Sequence, residues 1–421
     1  ALTLAENGFD VIGLEKDNQL VKKINKKISP FYENGLKNLL NKHVGNTFKV
    51  TSNIENVFAE IYIITVGTPV KRNTKKPDID HLKKAVETVS NKLKLNDTVI
   101  LRSTVPIGCT RKNVIPILEK NSRLKTGKDF FVAYCPERTA EGKALTELRE
   151  LPQIVGGFDK NSRQITMNFF NENTHTVIDV GSLEAAEMCK LLDNTYRDII
   201  FGYSNQMALL SENLGLNLKE LISKVNIGYG RNNIPFPSPG VGGPCLSKDP
   251  YILDYSFKKF GLNCQISLDA RKVNEAAPKL IYRRCNKLFQ EYGKKMKDEK
   301  IFIIGFAFKG EPETSDLRDS TTIWFLDYLK SKGIKNIFGF DPVIDEKDLK
   351  NLGINTCSIS DGFNNSGAVF LMNNHLSYSD IKINDLLLTM NKPAIFYDGW
   401  NIFQPQDFQN IPGVIYTGTG F

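Results

Sequence analysis

Histidine is scarce in this chain: four among 421 residues, at His43, His81, His175 and His375, too scattered to build a His-based metal centre. The seven cysteines are odd in number and include no CxxC pair, which speaks against a disulfide framework or a zinc site and for reduced thiols. Long hydrophobic runs are missing too. The longest, "IYIITV" and "IFIIGFAF", are far too short to cross a bilayer. No signal-peptide pattern opens the chain, so neither a membrane nor export is expected, and the cytoplasm is the expected location. Arg/Lys clusters with interleaved aromatics are absent as well, so nucleic acid is not an expected partner. The net charge of +8 comes from lysines spread among acids, as in "KKINKK" and "YGKKMKDEK". Such runs read as solvated helix faces, and a mild basic excess suits a small anionic substrate.

What is present is ordinary for a globular protein, with 41% hydrophobic and 24% charged residues and length enough for two or three cores. The first half alternates short β-rich runs with helix-period segments. The runs are "VIGLE" (11–15), "KVTS" (49–52), "IYIITVG" (61–67), "TVILRST" (98–104), "FFVAY" (130–134) and "QIVGG" (153–157). Between them lie stretches such as "HLKKAVETVSNKL" (81–93). The alternation predicts a mostly parallel, doubly wound sheet. From Ser182 to about Leu221 the pattern is one long helical stretch with a break near Gly215, and a second helical region covers roughly 264–293. New strands follow at 300–311, 336–342, 354–359, 367–373 and 394–400. The expected fold class is therefore α/β, with two Rossmann-like doubly wound sheets joined by a helical middle that contains a long central helix. The expected divisions are 1–181, 182–296 and 297–421.

The opening "ALTLAENGFDVIGLEKD" reads as the end of a helix, a glycine turn and the second strand of a dinucleotide fold. A unit of that kind starts with a strand and a G-x-G-x-x-G turn, so these are expected to be missing from this sequence. Glu15 stands where a carboxylate would accept hydrogen bonds from an adenosine ribose. A carboxylate there repels a 2′-phosphate and favours NAD over NADP.

"PSPGVGGPCLSKDP" (237–250) sets Cys245 among glycines and prolines, with Asp249 four residues on. Glycine lets backbone approach a ligand closely, and a thiol on an open, fixed loop is what a nucleophile requires. Lys190 and Asn194, four apart on the long helix, project from one face and can stabilise a developing oxyanion.

Six stretches, in order, resemble the UDP-glucose/GDP-mannose 6-dehydrogenase family of nucleotide-sugar dehydrogenases. They are "VGTPVKRNTKKPDIDHL" (66–82), "STVPIGCTRK" (103–112), "CPERTAEGKALTELRELPQIVGG" (135–157), "KLLDNTYRDIIFGYSNQMALLSENLG" (190–215), "PSPGVGGPCLSKDPYIL" (237–253) and "GFAFKGEPETSDLRDS" (305–320). The resemblance implies a four-electron, NAD-dependent oxidation of a UDP-sugar at C6 to the uronic acid, serving polysaccharide biosynthesis. Cys245 would be the covalent nucleophile, carrying the aldehyde as a thiohemiacetal and then as a thioester. Lys190 and Asn194 would stabilise the oxyanion, and Asp249, Glu137 and Thr104 would handle water. Val66, Gly67, Thr68, Pro69, Ser103, Thr104 and Glu141, with Glu15, would hold NAD. Glu137, Arg138, Lys190, Asn194, Gly242, Gly243 and Lys309 would hold the UDP-sugar, with Arg231 reaching a neighbouring subunit's site. A homodimer or higher homo-oligomer paired through the helical middle is implied, the other six cysteines are packing residues, and no metal is expected.

Two features depart from the family's pattern, the second of them from its UDP-glucose members. Pro244 precedes Cys245 where family loops often carry His, and "DGWN" puts Trp400 where many UDP-glucose enzymes carry an Arg. "CPER", with Arg138, looks more like the branch acting on UDP-N-acetylhexosamines such as UDP-N-acetyl-D-mannosamine. The alternatives are a UDP-glucose 6-dehydrogenase, a single-hydride dehydrogenase of the β-hydroxyacid type, and a truncated non-catalytic remnant. The second sheet and the thiol loop are surplus to single-hydride chemistry.

Overall fold

The computed structural model describes residues 1–55, 57–408 and 411–421. The chain divides into two compact units, Ala1–Thr195 with Lys248–Cys264, and Tyr196–Ser247 with Gln265–Phe421.

In the first unit, β1 (Val11–Leu14) and β2 (Phe48–Thr51) form a parallel pair. A separate sheet runs in the order β3 (Ile61–Ile64), β4 (Thr98–Leu101), β5 (Phe131–Tyr134), β6 (Gln153–Gly157), β7 (Val177–Ser182). All its pairings are parallel except β5 with β6. β4 reads TVIL and is buried at every position, as a strand covered on both faces must be. Leu82 and Val86, one turn apart on the helix Asp80–Ser90, close its core with Val99, Leu101 and Val132. At Gly156 a Cβ would lie 2.1 Å from the Ser182 carbonyl oxygen, so the irregular register of β6 on β7 depends on a residue without a side chain.

The second unit holds a six-stranded, wholly parallel sheet in the order β10-β9-β8-β11-β12-β13, built from β8 (Ile301–Ile304), β9 (Ile337–Phe340), β10 (Asn355–Thr356), β11 (Ala368–Leu371), β12 (Ala394–Asp398) and β13 (Val414–Gly418). This is the doubly wound order whose switch point falls between the first and fourth strands, here β8 and β11. Both of those strands, IFII and AVFL, are buried throughout.

The expected long helix is present as Leu183–Leu214, its first part in the first unit and the remainder in the second. It stops where Gly215 takes a φ of +66°, and Asn217 caps the next helix, Leu218–Asn226, by accepting from the Glu220 N–H at 3.2 Å. The second helical region is Gln265–Glu291. Asp249 lies just beyond the glycine-rich loop, as the first residue of the helix Asp249–Lys258, and is wholly buried. Pro250 masked that helix in the sequence, yet the first turn is where a helix tolerates proline, because the missing N–H has no partner to lose there.

Candidate active site

Glu137 leaves β5 on a turn whose own backbone wraps its carboxylate. Oε1 accepts from the N–H groups of Arg138 at 2.8 Å and Thr139 at 3.0 Å, and Oε2 accepts from Arg102 Nη2 at 2.6 Å. Burial alone would push this carboxyl up. The Arg102 charge and the donated hydrogen bonds outweigh it and hold Glu137 below its usual range. Arg102 is fixed in turn by Gln153 Oε1 at 3.0 Å and lies 5.1 Å from the Phe170 ring centroid.

The buried Lys190 donates from Nζ to the Glu137 carbonyl oxygen at 2.6 Å, joining the long helix to that turn. One helical turn later the equally buried Asn194 donates from Nδ2 to Asp249 Oδ2 at 2.5 Å. The other Asp249 oxygen takes Lys248 Nζ at 2.5 Å. Both carboxylate oxygens are thus engaged, and the first turn of their own helix adds a favourable field for the anion. Arg138 turns to the same helix, with Nε 2.7 Å from Asp193 Oδ2. The first unit therefore brings Glu137, Arg138, Lys190, Asn194 and Asp249 onto one stretch of helix and its neighbouring turns.

Thr68 and Thr104 follow β3 and β4 at the carboxyl edge of the sheet, where open α/β sheets bind ligands. They are tied together, the Thr68 hydroxyl donating to the Thr104 carbonyl. Val66 packs on the core beneath, Pro69 is exposed, and no atom of the described residues outside Gly67 and its chain neighbours comes within 4 Å of the position a Cβ would take at Gly67. Ser103 is buried, and its Oγ has no hydrogen-bond partner among the described residues. An orphaned hydroxyl and an open glycine on this edge fit a polar cofactor such as NAD. Glu15 stands at the end of β1, its Oε1 accepting from the Asp17 N–H at 2.9 Å, so its carboxylate also serves the turn. Glu141 is half-buried beside Gly142, whose N–H is held by Glu33 Oε2 at 2.8 Å.

In the second unit Cys245 is exposed on the turn after Gly243. Cys109, Cys135 and Cys285 are buried, and burial pushes each of these thiols up to about 12, so they are inert packing groups. The glycines before Cys245 are required sterically. A Cβ at Gly242 would lie 2.2 Å from the Asp319 carbonyl oxygen, and one at Gly243, where φ is +87°, 2.7 Å from the Phe308 ring. Lys309, beyond β8, lies with Nζ 5.5 Å from the Phe308 centroid. Arg231 is exposed, and its guanidinium sits 5.3 Å from the Tyr229 ring.

Sequence reasoning missed Lys248 and Arg102, the cations that face Asp249 and Glu137. Adjacency in "SKDP" was a usable signal for the first; nothing in "LRST" announced the second. It also missed the wholly buried Arg271, which "ARKVNEAAPK" presents as one more surface cation.

The first unit thus offers an open sheet edge and a buried Lys-Asn-Asp cluster, and the second unit a thiol on a glycine turn. The chain belongs to the UDP-glucose/GDP-mannose dehydrogenase family: residues 1–174 match its NAD binding domain, 184–276 its central domain and 302–405 its UDP binding domain. It is an NAD-dependent nucleotide-sugar dehydrogenase. The UDP-N-acetyl-D-mannosamine dehydrogenase of Pyrococcus horikoshii is 31% identical over 82% of this chain and 80% of its own. That of Methanococcus aeolicus is 32% identical over 97% and 90%. A solved Pyrococcus horikoshii structure described as a UDP-D-ManNAc dehydrogenase superposes with a TM-score of 0.89 at 27% identity, covering 100% of this chain and 96% of that one. No helix among the described residues is long and apolar enough to cross a membrane.

Proposed function

We propose that the chain oxidises C6 of UDP-N-acetyl-D-mannosamine, or a related UDP-N-acetylhexosamine, to the uronic acid in the cytoplasm, for polysaccharide assembly. The substrate rests on the relatives that carry that name, on the resemblance of "CPER", with Arg138, to the UDP-N-acetylhexosamine branch, and on Trp400 standing where many UDP-glucose enzymes carry an Arg. In this reading residues 1–181 hold NAD, 182–296 carry the thiol and the subunit contact, and 297–421 hold the UDP-sugar.

NAD, held by residues of the first unit such as Glu15, Thr68 and Ser103, would supply the hydride acceptor for C6. The alcohol first loses a hydride and a proton to give the aldehyde. The Cys245 sulfur then bonds to the aldehyde carbon, and the resulting oxyanion is stabilised by Lys190 and Asn194. Loss of a second hydride and the hydroxyl proton leaves a thioester. Water, aligned by Asp249, Glu137 and Thr104, attacks the acyl carbon, the C–S bond breaks, and the acid leaves as the thiol is restored. One alcohol and one water thereby yield one carboxylate, two NADH and three protons.

The observation that carries this reading is the buried Lys190-Asn194-Asp249 cluster, its aspartate four residues after an exposed cysteine. The test is Cys245→Ala with UDP-N-acetylmannosamine and NAD. Acid production should stop, and the wild-type protein should release two NADH per sugar. Acid made without the thiol would end the covalent mechanism, and one NADH per sugar would favour single-hydride chemistry. A panel including UDP-glucose and UDP-N-acetylglucosamine decides the sugar.

We infer a homodimer as well. Tyr196, Tyr203, Leu210 and Leu214 line one exposed face of the long helix, an apolar stripe that suits a second copy. Tyr203→Lys with Leu210→Lys should shift sedimentation to the monomer; an unchanged mass would rule that face out.

A further inference from the structure

The helix Gln265–Glu291 buries a complete guanidinium. Arg271 has no exposed surface, nor has its partner Asp198 on the long helix, with Nη1 2.9 Å from Oδ1. Burying such a pair gains little stability over apolar packing, so its retention calls for another reason. The remaining donors supply one. Arg271 Nη1 also donates to the Leu246 carbonyl at 3.0 Å, and Nη2 donates to the Val241 carbonyl. These two carbonyls flank Gly242, Gly243, Pro244 and Cys245.

The network extends further. Asn274 donates from Nδ2 to Asp198 Oδ1 at 2.8 Å, Asn205 donates to Asn274 Oδ1 at 2.8 Å, and Asn205 Oδ1 accepts from the Ser238 N–H at 2.8 Å. One buried chain of side chains thus grips the turn at 238, 241 and 246. The opposite side is held by Asp319, whose carbonyl accepts from the Gly243 N–H at 3.0 Å and whose Oδ2 accepts from the Ser247 hydroxyl at 3.2 Å. Gly240 fits only because it lacks a Cβ, which would stand 2.5 Å from the Asn274 carbonyl oxygen.

We propose that Arg271, held by Asp198, is the positioning residue for Cys245: its planar fork fixes the turn that presents the thiol to the substrate. The proposal rests on the reading of Cys245 as nucleophile. A guanidinium can serve two carbonyls and a carboxylate at once from fixed directions, and a lysine ammonium cannot reproduce that fork. Misplacing a reacting atom by about 1 Å costs on the order of 100-fold in rate.

The test is Arg271→Lys, with Asp198→Asn as a second variant that keeps an acceptor for Asn274 and removes the charge. Amide hydrogen exchange is followed at Ser238, Gly243 and Ser247 alongside steady-state kinetics. The expected result is exchange at least about tenfold faster at those amides, and kcat lowered about 10- to 100-fold with KM for the UDP-sugar within about threefold. Should the Arg271→Lys protein fail to fold, the Asp198→Asn variant is read by the same two measurements. Unchanged exchange in this turn overturns the proposal, and so does faster exchange with kcat intact. A Cys245→Ala protein that still makes acid overturns the nucleophile reading instead, and the exchange data do not depend on it.

Discussion

Asn194 on the long helix and Asp249 at the start of another helix share a hydrogen bond of 2.5 Å, in a setting where both side chains are buried. With Lys248 on its other oxygen, Asp249 is a carboxylate whose direction is fixed and whose charge is balanced. Replacing it by Asn keeps a partner for Asn194 and removes the anion. Loss of a positioned base typically costs about 100- to 10,000-fold, and Asp249→Asn should lose about that much in kcat. NADH release under saturating substrate is the measurement. An unchanged rate would remove Asp249 from the chemistry and leave it a structural ion pair.

Arg102 controls Glu137. Burial pushes the Glu137 carboxyl up, and the Arg102 cation and the donated hydrogen bonds more than reverse that. In Arg102→Gln the burial remains while the charge goes, so the Glu137 pKa should rise. If the ionised form assists hydrolysis, the acid limb of the kcat pH profile should move to higher pH. A limb that stays in place would show that another group sets it.

Much of this was legible in the sequence because buried strands and long helices announce themselves by period and composition. β4 and β8 were readable as short β-rich runs, and Gly215 marked the helix end that its positive φ enforces. The Lys190–Asn194 spacing placed both groups on one face, as observed. The helix beginning at Asp249 was hidden because proline usually signals a break, and only the first turn escapes that rule. Arg271 was invisible for a different reason. Its role depends on two carbonyls about 25 and 30 residues earlier in the chain, and because every residue carries such an acceptor, none leaves a mark in a residue string.

Two glycines separate packing from function. Gly156→Ala would drive a Cβ into the Ser182 carbonyl at 2.1 Å and the Ala186 side chain at 2.8 Å. Overpacking of this kind costs about 1–3 kcal/mol, seen as a lowered midpoint of thermal unfolding. Gly67→Ala meets nothing within 4 Å among the described residues, so unfolding should be unaffected. If that edge receives NAD, KM for NAD should rise severalfold while stability holds. A Gly67→Ala protein with unchanged KM would clear Gly67 from the cofactor site.

Glu187, wholly buried three residues before Lys190 on the same helix, accepts from the Gly108 N–H at 2.5 Å, the Thr110 N–H at 2.8 Å and the Thr110 hydroxyl at 2.6 Å. It anchors the segment that follows Thr104, so its protonation is coupled to that segment's order. Burial pushes its carboxyl up from 4.5 to about 7, against the pull of these donors. Between those two values the native protein holds more proton than the unfolded chain, so stability falls as pH rises through the window and the loss is complete above about 7. Glu187→Gln removes the titration and should flatten this part of the profile, although its amide cannot accept from Gly108 and lowers stability at every pH. The difference between the two proteins should change by about 2–3 kcal/mol from pH about 4.5 to about 7, at about 1.4 kcal/mol per unit. Urea denaturation across that range measures it. Parallel profiles would mean that the donors win over burial and that Glu187 stays ionised throughout, an anchor with no sensitivity to pH.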